Sequence, residues 1–448
     1  MNAQNDAGGR QALVRVALAA VLVTYCTLAT LQSLATRLQW GPDEPGHIIY
    51  VRSLALDGRF PALTHGEEDN AYVPGAARTH EAHQPPLYYA LAAVVWRAFA
   101  RLPDQTVTFT DGSGAVQSFS VPGAVRPVRL LSVLFGAVAL AFISATARVV
   151  FPGRPAVWIA GTALAAFTPM FTYITGVINN DSLLAALFAG VAWQWARILR
   201  AGANRRDIVT LGLLLGAAMS VKETAVALVL VSLAVLAWEP GAGSWRRRLA
   251  HIGGVVGLTI LVAGWWFARK WLVWGSPLVY PYVYPLLGLP AEQRAALLSA
   301  LPRLVFLFTF VPADVIGARL DLGLLTVVFL SIAVLSAGGL ALAFVRRERL
   351  AMPRHEALSL ALWVATAGVV LAGLLRNVMT VDWRMGTSGG RYLVCVLPLL
   401  ALASARGLSA LFGEGRGARI GLAIVGILLL GLNVAAIWAT AAVYGTLR

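Results

Sequence analysis

The chain has 448 residues, 58% of them hydrophobic and only 13% charged, whereas a soluble domain carries roughly 25% charged residues. That deficit runs along the whole length, so it excludes an ordinary soluble globular protein and makes the lipid bilayer the solvent to reason from. A net charge of +15 does not indicate a nucleic-acid partner, because the arginines stand in short clusters between apolar stretches, the pattern that sets membrane topology.

Cys26 and Cys395 lie in apolar segments and give no basis for a disulfide framework. Runs of roughly 20 mostly apolar residues, enough to cross about 30 Å of hydrocarbon, predict an all-α polytopic membrane protein with about eleven spans. The predicted limits are 12–36, 126–150, 156–178, 182–200, 208–221, 223–238, 250–272, 322–345, 357–376, 392–412 and 420–443. The first follows Arg10 and Arg15 as a signal peptide would, but no small-residue cleavage site stands out. It is expected to be a retained helix. Lys222-Glu223 interrupts the stretch that holds the fifth and sixth spans.

Orientation follows from the short loops. Arg197, Arg200, Arg205 and Arg206 fall in one, and Arg246, Arg247 and Arg248 in another. Arg346, Arg347, Arg349 and Arg354 share a third, and Arg416 with Arg419 a fourth. Placing these clusters in the cytoplasm puts the N-terminus inside and the two longest loops, 37–125 and 273–321, outside. The expectation is one transmembrane domain over 1–448 in the inner or plasma membrane. Within the first outer loop, 45–56 is predicted as an interfacial helix with Pro45 in its first turn. A second short apolar helix, 84–101, opens at Pro85-Pro86 and is too short to span comfortably. No internal repeat is visible, which weighs against a transporter built on inverted repeats.

Asp43-Glu44 stands at the outer end of the first span. An acidic pair there can simply be solvated, but His47 lies one helical turn away and Tyr50 one turn further. His80-Glu81-Ala82-His83 returns just before the second short helix. Converging carboxylates and imidazoles can act as a general base or hold a divalent metal, for which Glu44, His47, His80 and His83 have the right chemistry. Asn179-Asn180-Asp181-Ser182 reads either as a helix cap through Asn180 or Asp181, or as the source of a second carboxylate. Lys222, Arg269-Lys270, Arg376, Arg384 and Arg391 sit where the topology puts the outer face. Some can snorkel, and Lys222 can pair with Glu223 or Asp181. Together they suit an anionic headgroup, a phosphate or pyrophosphate. Trp271, Trp274, Tyr280, Tyr282 and Tyr284 form an interfacial belt or line a sugar or lipid pocket.

In chain order the motifs are Gly41-Pro42-Asp43-Glu44-Pro45-Gly46-His47, His83-Gln84-Pro85-Pro86-Leu87-Tyr88-Tyr89 and Asn179-Asn180-Asp181. Ser220-Val221-Lys222-Glu223-Thr224, Arg269-Lys270-Trp271-Leu272-Val273-Trp274-Gly275-Ser276-Pro277-Leu278 and Gly389-Gly390-Arg391-Tyr392-Leu393 follow. This series, from about residue 40 to about 400, resembles the polytopic GT-C glycosyltransferases, especially bacterial relatives of protein O-mannosyltransferases and lipid A aminoarabinose transferases. The resemblance implies transfer of a sugar from a polyprenyl-phosphate donor to a lipid, glycan or protein acceptor on the extracytoplasmic face. It implies Asp43 as the leading catalytic carboxylate, Glu44 as its neighbour orienting a group or a metal, and Asp181 as a second acid. Lys222, Arg269 and Arg391 would stabilise the leaving lipid phosphate, and His47, Tyr50, His83, Gln84, Tyr88 and Tyr392 would line the substrate pocket. No cofactor is required, a divalent metal being the one candidate.

Two departures stand out. The aminoarabinose transferases carry Glu-Lys-Pro-Pro where this chain has His83-Gln84-Pro85-Pro86, so that basic contact does not carry over. No large soluble segment is expected after the last span, unlike in oligosaccharyltransferases. Two other readings need the same basic cavity: a transporter or flippase of a lipid-linked sugar, and a polymerase or ligase using a pyrophosphate-linked oligosaccharide.

Overall fold

The computed structural model describes residues 2–446 apart from 65–77, 111–114, 242, 282, 347–351 and 414. Tyr282, Arg347 and Arg349 therefore lie outside the described residues. The helices begin with α1 (Asn2–Ala35), α2 (Glu44–Arg52), α3 (Leu87–Ala98), α4 (Val125–Val150), α5 (Pro155–Ala166) and α6 (Pro169–Thr175). Then come α7 (Asp181–Ala201), α8 (Arg205–Met219), α9 (Val226–Ala237), α10 (Trp245–Trp274), α11 (Ala291–Phe310) and α12 (Ala313–Ile316). The last are α13 (Leu322–Val345), α14 (Arg354–Thr380), α15 (Arg384–Ser388), α16 (Leu397–Leu411) and α17 (Arg416–Tyr444). Strands are few: β1 (Ala62–Leu63) pairs in parallel with β2 (Arg78–Thr79), and β3 (Gln105–Thr110) makes a hairpin with β4 (Val116–Val121).

Among the described residues, seven helices are long and apolar enough to cross a membrane: α1, α4, α7, α10, α13, α14 and α17. Two bent pairs raise the number to nine, α5 with α6 at 61° and the 3-10 turn Gly389–Cys395 with α16 at 76°. The protein is thus all-α and membrane-embedded, but the predicted eleven spans are not reached. Physically, the two doubtful runs become α8, with 15 residues, and α9, with 12. Neither reaches the roughly 20 residues a straight crossing needs, and the break between them falls at Lys222.

Burial locates the centre. The most apolar window of α7 is 83% buried, against 22% for α10 and α13, so α7 is the axis of the bundle and the other two face outward. The segment 37–125 holds the two expected helices, α2 and α3, together with the hairpin β3–β4, for which the alternating Thr and Val residues of 105–110 gave an unread signal. The segment 273–321 carries α11, which the apolar count passed over because Arg294 and Arg303 dilute it. A parallel bridge between Tyr284 and Asp382, with the Tyr284 amide donating to the Val381 carbonyl at 2.6 Å, ties this segment to the turn before α15.

Candidate active site

Asp43 and Glu44 are neighbours with opposite surroundings. After α1 the chain turns through Gly41, where a Cβ would lie 2.8 Å from Val177, and Asp43 adopts a left-handed φ of 56° as it opens α2. Outside glycine this conformation is unfavourable, and aspartate and asparagine are among the few residues that visit it. The Asp43 carboxylate accepts a 2.6 Å hydrogen bond from Arg391 Nη2, yet its side chain remains 38% exposed. Arg391 reaches it because Gly390 packs where any Cβ would strike the Val305 carbonyl of α11.

Glu44 turns inward and is fully buried. Its Oε1 accepts from Arg129 Nε at 2.7 Å and the Ile178 amide at 3.0 Å. Its Oε2 accepts from Arg129 Nη2 at 2.6 Å and the Gly41 amide at 3.2 Å. A carboxylate offers about four lone-pair sites, so none is left for substrate or metal. Arg129 gives its remaining donors to the carbonyls of Ser33, Thr36 and Arg37. The sequence reading missed Arg129. An arginine in the first turns of a span that follows a long loop was the available signal, of the same kind that singled out Arg391.

The second cluster is built on the 3-10 helix His80–His83. It packs against α2 at Gly46, where a Cβ would lie 2.7 Å from His80 Cε1 and 2.9 Å from Thr79 Oγ1. Glu81 is its centre. Its Oε1 lies 3.2 Å from His80 Nε2, while its Oε2 accepts from the Tyr89 hydroxyl at 3.4 Å and lies 3.9 Å from His47 Nδ1. His47 Nδ1 also pairs with the Tyr89 hydroxyl at 2.9 Å. Tyr50 stacks on Tyr89 with ring centres 3.8 Å apart and donates to the Gln84 carbonyl. Burial pushes the Glu81 carboxyl up, but His47, His80 and His83 together hold it well below the usual carboxylate range. Burial pulls His47 and His83 below the ordinary imidazole value, with Glu81 opposing in each case. In His80 burial also acts downward, but the hydrogen bond and charge of Glu81, with Asp43, carry it above that value.

The predicted metal set is not brought together. Glu44 is consumed by Arg129, and His83 Nδ1 pairs with the His80 carbonyl at 2.7 Å. Among the described residues it is Asp43, His80 and Glu81 whose donor atoms lie within 4.8 Å of one another. Each offers one ligand atom, two oxygens and a nitrogen in all.

The turn before α7 corrects the cap reading. Asn179 Oδ1 accepts from the Asp181 amide at 2.8 Å, while Asp181 grips Lys222 Nζ with both oxygens, at 2.7 and 2.8 Å. Asn180 donates to Gln84 Oε1 and to the Val221 carbonyl, and the Leu87 amide at the start of α3 donates to the Ser220 carbonyl. The break between α8 and α9 is thereby stitched to the first loop. Tyr392 joins the two ion pairs, with Lys222 Nζ 4.9 Å and the Arg391 guanidinium 5.4 Å from its ring centre.

The other expectations divide. Arg269 lies over Phe60, Trp266 and Trp274 at 4.7 to 5.5 Å, and its buried Nη1 has no hydrogen-bond partner among the described residues. Its neighbour Lys270 pairs with Glu223. Tyr88 is fully buried against Ser132 of α4, which removes it from a pocket lining. Arg384 pairs with Asp382 and covers Tyr284, and Arg376 reaches the Tyr280 hydroxyl, so both hold the turn before α15 in shape.

Comparison with known proteins now bears on this geometry. The oligosaccharyltransferase AglB of Archaeoglobus fulgidus, solved in complex with an inhibitory peptide and a dolichol-phosphate, superposes with a TM-score of 0.53 over 97% of this chain at 12% identity. This chain has the GT-C fold. It spans only 56% of AglB, just over half that protein's length. Residues 121–267, from the end of β4 into α10, match the family model of the dolichyl-phosphate-mannose-protein mannosyltransferases. That stretch contains Arg129, Asp181 and Lys222. ArnT of Cupriavidus metallidurans bound to undecaprenyl phosphate is 17% identical, with a TM-score of 0.40 over 89% of this chain and 78% of its own. The Pmt1–Pmt2 complex of S. cerevisiae bound to the sugar donor is 15% identical, with a TM-score of 0.41 over 61% of this chain and 36% of its own. No curated protein matches the sequence.

Proposed function

We propose that this GT-C protein is a glycosyltransferase that moves a sugar from a polyprenyl-phosphate donor to a hydroxyl acceptor, with Asp43 as the general base. One observation carries the assignment. Of the three carboxylates singled out from the sequence, Asp43 is 38% exposed while Glu44 is 0% and Asp181 4%, each of those two closed by its own cation. A base must reach the proton that it removes.

The chemistry follows from the pairings. In the free protein Arg391 occupies Oδ2 of Asp43. A donor phosphate competes for that guanidinium, because both are anions that suit its planar fork. Transfer of Arg391 to the phosphate frees Asp43 to take the acceptor proton. The acceptor oxygen then attacks the anomeric carbon, the bond from that carbon to the phosphate oxygen breaks, and the bonding pair leaves on the lipid phosphate. Arg391 and Arg269 neutralise that charge in a low-dielectric setting, where fixed cations count for more than in water. A divalent cation held by Asp43, His80 and Glu81 would supply further neutralisation at the same place. The arginine clusters of the short loops support an extracytoplasmic site with the N-terminus in the cytoplasm.

The test compares wild type with Asp43→Asn in nanodiscs, using a panel of radiolabelled polyprenyl-phosphate sugars. Asparagine tolerates the left-handed backbone, so the fold is kept. Turnover is expected to fall by about 10²- to 10⁴-fold, and full retention would remove Asp43 from the reaction. The two bent helix pairs favour a second reading, a flippase, since transporters site their cargo at broken helices. Translocation of labelled lipid with no donor consumed would select it.

A further inference from the structure

A large cleft lies at the end remote from Asp43. It has a volume of about 1240 Å³ and is bordered by α1, α5, α13, α16 and α17. Leu13 of α1 is on its wall, and Asp43 follows the other end of that helix, about 33 Å away at 1.5 Å per residue. The wall is apolar in its depth, with Ala160, Ala163 and Phe167 on one side and Leu422, Gly426 and Leu430 of α17 on the other. From Pro155 to Phe167 it runs along α5 for about 18 Å, slightly more than half of a roughly 30 Å hydrocarbon core.

Its mouth is cationic. Arg154, Arg346, Arg406 and Arg419 all line it. Among the described residues the carboxylate paired with them is Glu356, 2.6 Å from Arg406 Nε and 3.7 Å from Arg154 Nη1. Arg406 is 2% exposed, and its Nη2 is buried with no hydrogen-bond partner among the described residues. A buried guanidinium nitrogen left unpaired is costly, and bidentate pairing with a phosphate is what this group does best.

We infer that this cleft is a binding site for an anionic phospholipid of the leaflet opposite the Asp43 site, its acyl chain between α5 and α17 and its phosphate among the four arginines. Basic pockets between transmembrane helices recognise anionic headgroups in this way, and the apolar length matches one leaflet. Neither a nucleotide nor a free anion needs so long an apolar wall. The inference is independent of the reaction proposed at Asp43.

The experiment uses the full chain in nanodiscs containing phosphatidylglycerol or phosphatidylcholine that carries a photoactivatable diazirine in one acyl chain, with crosslinked peptides mapped by mass spectrometry. In wild type, phosphatidylglycerol should label α5 and α17 in preference to phosphatidylcholine, by about fivefold for each arginine engaged. Arg346→Gln with Arg419→Gln, both exposed positions, should remove most of that preference while leaving the basal labelling. At Gly426 a Cβ would meet nothing within 4 Å, so Gly426→Trp fills the cleft and should abolish labelling of α5 by either lipid. Equal labelling by the two lipids in wild type would overturn the inference without recourse to any variant. So would crosslinks confined to other helices, or labelling of α5 unchanged in Gly426→Trp.

Discussion

Replacing Glu44 by alanine strands a guanidinium in the interior. Arg129 is fully buried, and two of its nitrogens lose a charged partner at 2.7 and 2.6 Å. Breaking a buried pair from one side costs about 3–5 kcal/mol, because the surviving charge has no water to return to. The amides of Gly41 and Ile178 lose their acceptor as well, and each orphaned donor costs about 1–3 kcal/mol when taken singly. These terms are not additive, since a water entering the vacated space serves several of them, so the expected loss is about 4–5 kcal/mol. At about 2 °C per kcal/mol for a large chain, the apparent melting temperature falls by about 8–10 °C. The assay is thermal loss of the monodisperse peak in one detergent. Turnover is the poorer readout, because Asp43 is the adjoining residue. The double change Glu44→Gln with Arg129→Met removes the stranded charge and should recover at least about 2 kcal/mol of the deficit. A single variant that melts within about 1 °C of wild type, or a double variant no better than the single, would refute the reasoning.

Gly46→Ala pushes a methyl into His80 and Thr79, an overpacking worth about 1–3 kcal/mol. Donor turnover measured in nanodiscs should fall further than that stability loss explains, and unchanged turnover would separate His80 from the site. Lys222→Met leaves Asp181 buried and unpaired and should destabilise the protein by about 3–5 kcal/mol. The double variant with Asp181→Asn should melt closer to wild type, and failure of that rescue would show that the pair is not coupled. Chelation decides the cation. Wild-type turnover should fall on dialysis against EDTA and return with Mn²⁺, and turnover indifferent to both would remove a metal from Asp43, His80 and Glu81.

The fold class was legible because a hydrocarbon solvent imposes long apolar runs, and α1, α4, α7, α10, α13, α14 and α17 all appear as such. The count of eleven is not confirmed where polarity and length disagree. Apolar content suggested two spans around Lys222, but the charge needed a partner, Asp181, and the helix opened to reach it. At the site, the residue types and their order stood in the sequence, and their pairing did not. Nothing in Asp43-Glu44 reveals that a left-handed turn sends one carboxylate toward Arg391 and the other toward Arg129. That divergence depends on Gly41 approaching Val177, a contact far apart in the chain. Glu81 was read as the middle of a histidine motif, yet it is the residue around which His47, His80 and Tyr89 assemble.

The stitched break between α8 and α9 has a consequence for biogenesis. Its Ser220 and Val221 carbonyls are satisfied by the Leu87 amide and by Asn180, and at membrane depth such groups need a partner within the protein. Both partners lie earlier in the chain and leave the ribosome first. The break therefore takes its final shape only against a loop and turn that have already docked. Damage to 84–89 is expected to appear as misplacement of Lys222, in a helix that itself carries no lesion.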